Sequence, residues 1–276
     1  MSFLRLLVAL ALVCICTYPT FSQIESGTLI LVHVFRDKIV VAGDSLVRPV
    51  FVAPNGTAKI LDPEYKCKVF ALNDKTIFAW TGTLGFFSGY INLSPPWTPQ
   101  EVAMELRAEY PSMPPDQLAI HWANIVVERM NEDVRMSFPF RQQMDATARR
   151  EGPSIANGLF VSSQTKSGLE GVHMNFSYDL SDFFAPMSYS TPETFVPTKC
   201  DPFCGFGEPQ VFLDPIVTSE VKTEFSKWDG IDVAILRRMI ELASKYDKTG
   251  TIGGRVDIAV LPRNNTVQWI ENPNCK

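Results

Sequence analysis

Two apolar runs set back to back, Leu29 to Phe35 and Ile39 to Ala42, constrain this chain more than any other stretch. Only the charged trio Arg36-Asp37-Lys38 separates them, the pattern of a buried hairpin with a short turn. The first run is apolar on both faces, and such a strand needs cover on both sides of its sheet. Two stacked sheets with helices outside meet that requirement, so the expected fold is α+β, a four-layer αββα sandwich. The hairpin opens just after Gly27-Thr28 and closes at Asp44.

The chain before the hairpin begins MSFLRLLVALALVCICTYPTFSQ: one basic residue, Arg5, an apolar run from Leu6 to Cys16, then small and polar residues. The run falls well short of the roughly 20 residues that span a bilayer. It is the pattern of a cleavable export signal over 1–22. That leaves 23–27 as a short propeptide and 28–276 as a single domain, with secretion or other export as the expected location and no stable membrane span.

Export changes the meaning of the cysteines. Cys14 and Cys16 leave with the signal, so Cys67, Cys200, Cys204 and Cys275 remain, and three disulfide connectivities are open. The closeness of Cys200 and Cys204 in CDPFC favours a local bridge, which would pair Cys67 with Cys275. A metal is not expected, because His33, His121 and His173 are scattered and no second close cysteine pair is present. Nor is a cofactor. Sequons at Asn55, Asn92, Asn175 and Asn264 would mark surface positions if the source glycosylates. With 25 basic against 30 acidic residues, a net charge of -5 and no basic stripe, nucleic acid is not an expected partner.

Further along, 45–64 reads as a loop containing Pro49, Pro54-Asn55-Gly56 and Asp62-Pro63, long enough to be functional or an edge insertion. A second hairpin runs from Lys68 to Leu72 and Thr76 to Thr81, ending in glycines at Gly82 and Gly85. Thr98-Pro99-Gln100-Glu101 is a capping box ahead of a helix, and a second helix is expected over 115–136. The polar stretch 141–153 reads as a solvated connector. Strands are expected over 158–162 and 171–178, irregular chain over 179–215, a helix over 229–246, and strands over 255–261 and 266–270.

Three blocks then carry a resemblance: GTLILVHVFRDKIVVAGDS, KVFALNDKTIFAWTG and YDKTGTIGGRVDIAVLPRNNTVQWIE. Together they resemble the proteasome β-subunit group of N-terminal nucleophile hydrolases, over most of the mature chain. The resemblance implies that Thr28 is the nucleophile, freed when the precursor cuts itself after Gly27. It implies further that Asp44 and Lys68 are the family's aspartate and lysine, and that Gly82 supplies an oxyanion N–H. Asp247 falls where the family has an aspartate before a Gly-Gly pair, and Thr249 or Thr251 would take the place of its serine ahead of Gly253-Gly254. Gly205-Phe206-Gly207 stands where the family commonly has Gly-Ser-Gly.

The chemistry explains the residue types. A terminal threonine carries nucleophile and base together, because its own α-amine can take the hydroxyl proton. An ammonium from Lys68 would lower the amine pKa toward neutrality, and Asp44 would hold that ammonium in place. An oxyanion N–H from Gly82 is worth about 3 to 4 kcal/mol where such donors have been removed in hydrolases. The expected activity is amide-bond hydrolysis of a peptide or a small amide, and the family's rings imply assembly of like subunits. The same residues also admit a structural account: Thr28 as a strand opener, Asp44 and Lys68 as an ion pair, Gly82 as a turn. A silent subunit or binding protein that keeps the fold is therefore the alternative function.

Overall fold

The computed structural model describes residues 23–26, 29–52, 58–60, 64–82, 97–165, 168–195, 203–207, 209–227, 233–247, 250, 252–263 and 265–271. The fold is mixed α+β, with antiparallel sheets and, among the described residues, five α-helices. The expected first hairpin is present as β2 (Leu29–Val34) and β3 (Lys38–Asp44), paired from Ile30↔Gly43 to Val34↔Ile39. Ahead of it, β1 (Gln23–Ser26) pairs antiparallel with β4 (Leu46–Val52), Ser26 opposite Arg48. β4 also pairs β5 (Ala58–Ile60) and β6 (Glu64–Tyr65), so much of the expected 45–64 loop is strand in a small four-stranded sheet. Prolines at 49, 54 and 63 hid it, because each interrupts the alternation by which short strands are recognised.

The second hairpin is β7 (Val69–Asn73) and β8 (Thr76–Gly82). It continues through β9 (Ser154–Ser162), β10 (Glu170–Tyr178) and β11 (Met187–Tyr189), with β12 (Glu193–Thr194) also on β10. A separate five-stranded sheet runs in the order β13 (Cys204–Gly207), β2, β3, β14 (Val256–Pro262) and β15 (Gln268–Glu271). The helices are α1 (Pro99–Glu109), α2 (Pro115–Met136), α3 (Phe138–Glu151), α4 (Pro215–Lys227) and α5 (Val233–Tyr246). None among the described residues is long and apolar enough to cross a membrane.

Three apolar clusters follow from strand alternation. Ile30, Val32 and Val41 cluster with Val69, Ile77 and Val161, residues of both large sheets and of no helix. Their alternates Leu29, Leu31 and Val40 cluster with Leu236, Met239 and Ile240 of α5. On the other large sheet, Phe78, Phe160 and Phe176 surround Trp122 of α2. Gly158 lies beneath that indole, where a Cβ would stand 2.1 Å from the ring. The expected capping box opens α1: Thr98 Oγ1 accepts the Glu101 N–H, and the Glu101 carboxylate accepts the Thr98 N–H.

Several expectations are corrected. The connector over 141–153 is helix α3, which buries Phe140, Met144 and Ala148, one apolar residue per turn in a polar segment. Ser137 caps it by accepting the Phe140 N–H at 3.3 Å. The stretch 179–215 holds β11, β12, β13 and a 3-10 turn at Pro209–Leu213 rather than irregular chain alone. α4 was not anticipated; it packs on α5, where Glu220 accepts from Lys245 and Tyr246. Asn175 is half-buried in the middle of β10 and accepts from Ser154 Oγ at 2.7 Å, while Asn55, Asn92 and Asn264 lie outside the described residues. Cys67 and Cys204 each take part in a disulfide. Cys200 and Cys275 lie outside the described residues, and with them the expected Cys200 to Cys204 bridge.

Candidate functional site

The site grows from the end of the first hairpin. β3 brings Asp44 to the edge of the core, completely buried, opposite Val256 of β14. One residue earlier, Gly43 lets β2 and β7 come close, since a Cβ there would stand 2.6 Å from Ile30 Cδ1 and 3.0 Å from Val69 Cγ2. Lys68, immediately ahead of β7, is only 1% exposed and points its ammonium at Asp44, Nζ to Oδ1 3.4 Å. It also donates to the Leu46 carbonyl at the start of β4. Two buried charges lose much hydration, and only pairing together with further hydrogen bonds offsets the loss.

Both carboxylate oxygens of Asp44 find further donors. Oδ1 accepts the N–H of Leu29 at 2.8 Å, and Oδ2 accepts the N–H of Gly253 at 3.0 Å. Complete burial pushes the carboxyl above its ordinary value, while Lys68 and these two N–H groups pull it back down. An ammonium fixed in this way is a standing positive charge, which lowers the proton affinity of an amine or hydroxyl beside it.

Asp247 serves the same corner from just past the end of α5. Its N–H donates to the Ala243 carbonyl, ending the helix, and its Oδ2 accepts the Ile252 N–H at 2.7 Å. Adjacent amides of one turn are thus held by two aspartates, Ile252 by Asp247 and Gly253 by Asp44. Gly254 completes the turn at φ 79°, where a Cβ would stand 2.8 Å from both Ser45 Oγ and Tyr65 Cδ1.

Gly82 ends β8 at φ 79°, and a Cβ there would stand 2.2 Å from the Ile155 carbonyl oxygen. Only glycine fits, for a packing reason that holds whatever its N–H does. Two residues earlier the Trp80 N–H donates to the Lys68 carbonyl, so Gly82 lies on the strand beside the lysine. Gly27, Thr28, Thr249 and Thr251 lie outside the described residues. Phe206 sits opposite Ile30 in β13 and packs against His173 and Phe195 in the cluster shared by the two large sheets.

Sequence reasoning brought Asp44, Lys68 and Asp247 to one corner and missed the groups that complete it: the Leu46 carbonyl, the N–H groups of Leu29, Ile252 and Gly253, and Ser45. All but Ser45 are backbone, which residue identity does not reveal. Ser45 stood next to Asp44 and would have been found by asking what satisfies the Gly253-Gly254 turn. Among the described residues no three His, Cys, Asp or Glu side chains are grouped as metal ligands. No family model matches the sequence, and no curated protein matches it.

Proposed function

We propose that this chain is an exported N-terminal threonine hydrolase of the proteasome β-subunit kind, cutting amide bonds after self-cleavage between Gly27 and Thr28. Its two large sheets and their helices form a four-layer αββα sandwich in this reading, supported by one apolar cluster drawn from both sheets and two that join a sheet to helices. A single observation carries the functional proposal. The buried Asp44 accepts from the N–H of Leu29, the residue that follows Thr28, through the same oxygen that faces the Lys68 ammonium. The positive charge is therefore tied to the point where the chain enters β2. Freed there, a Thr28 α-amine would have its pKa lowered by Lys68 and would serve as base to its own hydroxyl. The substrate is a peptide or a small amide.

Intact mass or terminal sequencing of the secreted protein tests the first step, with a mature start at Thr28 expected. Epoxyketones of several shapes test the second. They should attach to Thr28, fail on Thr28→Ala and react slowly with Lys68→Ala. A fully matured chain beginning at Gln23 or Ile24 removes the nucleophile. One observation favours a second reading, a silent subunit or binding protein. Where the family commonly carries a serine, Phe206 has no hydroxyl and is spent on core packing. Consistent silence of all probes on chain verified to start at Thr28 would select it.

A further inference from the structure

Ser45 has no part in the chemistry just proposed, yet it is completely buried beside Asp44 and ties together three segments. Its N–H donates to the carbonyls of Arg255, at 2.9 Å, and Gly253, at 3.2 Å. Its hydroxyl accepts the Arg255 N–H at 2.8 Å. Its own carbonyl accepts the N–H of Lys66, two residues before the site lysine, at 2.8 Å. The stretch 253–255 is thereby clasped from both sides of Gly254, whose glycine leaves room for the Ser45 hydroxyl. The same stretch delivers the Gly253 N–H to Asp44.

We infer that Ser45 is a positioning residue of this site: its hydroxyl clasps Arg255 so that the Gly253 N–H stays on the Asp44 carboxylate. The inference rests on the proposed function for its catalytic meaning, but its physical content does not. A carboxylate that loses an N–H donor holds its proton more tightly. Among the described residues, the charge acting on Asp44 is that of Lys68, from the β7 side; β2 and the 253–255 stretch supply backbone N–H groups. Loosening the clasp therefore raises the Asp44 pKa with the Lys68 charge unchanged. The hydroxyl is the part that matters, since alanine keeps the Ser45 N–H and carbonyl bonds.

The test is a carbon-13 NMR titration of the Asp44 carboxyl, assigned with Asp44→Asn, in the full chain carrying Thr28→Ala so that no turnover intervenes. Ser45→Ala should raise the titration by about one pH unit, the scale set by one hydrogen bond to a charged group. Ser45→Thr should restore it, and Ser45→Cys, a weaker acceptor of similar volume, should fall between. An unchanged Asp44 titration in Ser45→Ala overturns the inference, as does a Thr variant displaced as far as the Ala one. Should Ser45→Ala fail to fold, the Cys variant and amide exchange decide: Arg255 and Gly253 must exchange together and faster than in the parent, and unchanged exchange overturns the clasp. The titration reads the carboxyl whether or not the protein hydrolyses anything. A shifted Asp44 in a protein that never reacts with an electrophile would keep this inference and sink the functional one. In a chain that does react, the acid limb of the pH profile should move with the titration.

Discussion

Trp122 and Asp44 are both completely buried, and they are held by opposite means. The indole sits among Phe78, Phe160 and Phe176, and its one polar atom donates to the Pro99 carbonyl at 2.9 Å. Contact area and shape do the work there, and each neighbour contributes a little. At Asp44 the stabilising contacts are few and directional: two backbone N–H groups and one ammonium. The aromatic side can lose an atom and relax. The charged corner cannot lose a partner without leaving a desolvated charge behind. Burial of equal degree thus gives one region that tolerates repacking and another that is fixed group by group.

The largest expected effect breaks the corner. Lys68→Met leaves the Asp44 carboxylate buried without its cation and should cost about 3–5 kcal/mol in denaturant unfolding. Adding Asp44→Asn should recover part of that loss, and a strictly additive double mutant would remove the charged pair from the comparison. Next comes the aromatic side. Gly158→Ala sets a methyl against the Trp122 ring and should cost about 1–3 kcal/mol by the same measurement. Pairing it with Trp122→Phe should relieve the clash if contact alone is at stake.

The smallest effect sharpens the contrast through pH. Because burial raises the Asp44 pKa above its ordinary 3.8, the native state binds this proton more tightly than the unfolded chain. Its contribution is therefore fully present below about pH 4 and declines as pH rises through the raised folded value. Lys68→Met removes the charge that pulls the pKa down, so the decline should extend to higher pH. Unfolding free energies measured from pH 3 upward on both proteins check this, and Gly158→Ala should follow the parent curve in parallel.

How much of this was legible depended on the range of the forces involved. The first hairpin could be read because its apolar runs are long and its turn is charged. Asp44 and Lys68 could be read because each stands at the border of such a run. α3 escaped notice because Phe140, Met144 and Ala148 give only one apolar residue per turn. α4 escaped because, among the described residues, Val217 alone is buried in it, and it leans on Glu220 contacts to α5. β11 and β12 pair with β10, the strand just before them, but at three and two residues they are too short to show a period, while the four residues of β13 owe their existence to β2, far away in sequence. The same holds for the Gly253 N–H, which meets Asp44 across 209 positions of chain.

The pairing of β1 with β4 acquires a kinetic meaning under the proposed maturation. While the chain is continuous, Gln23–Ser26 is presented to β4 at the high effective concentration of a tethered segment, of millimolar order for a short link. A cut between Gly27 and Thr28 would turn the same ladder into a bimolecular complex between the protein and a short peptide. A four-residue strand has little to hold it once untethered, so dilution would empty the β4 edge. The chain would carry its own first occupant of that edge, and scission would act as the dissociation step.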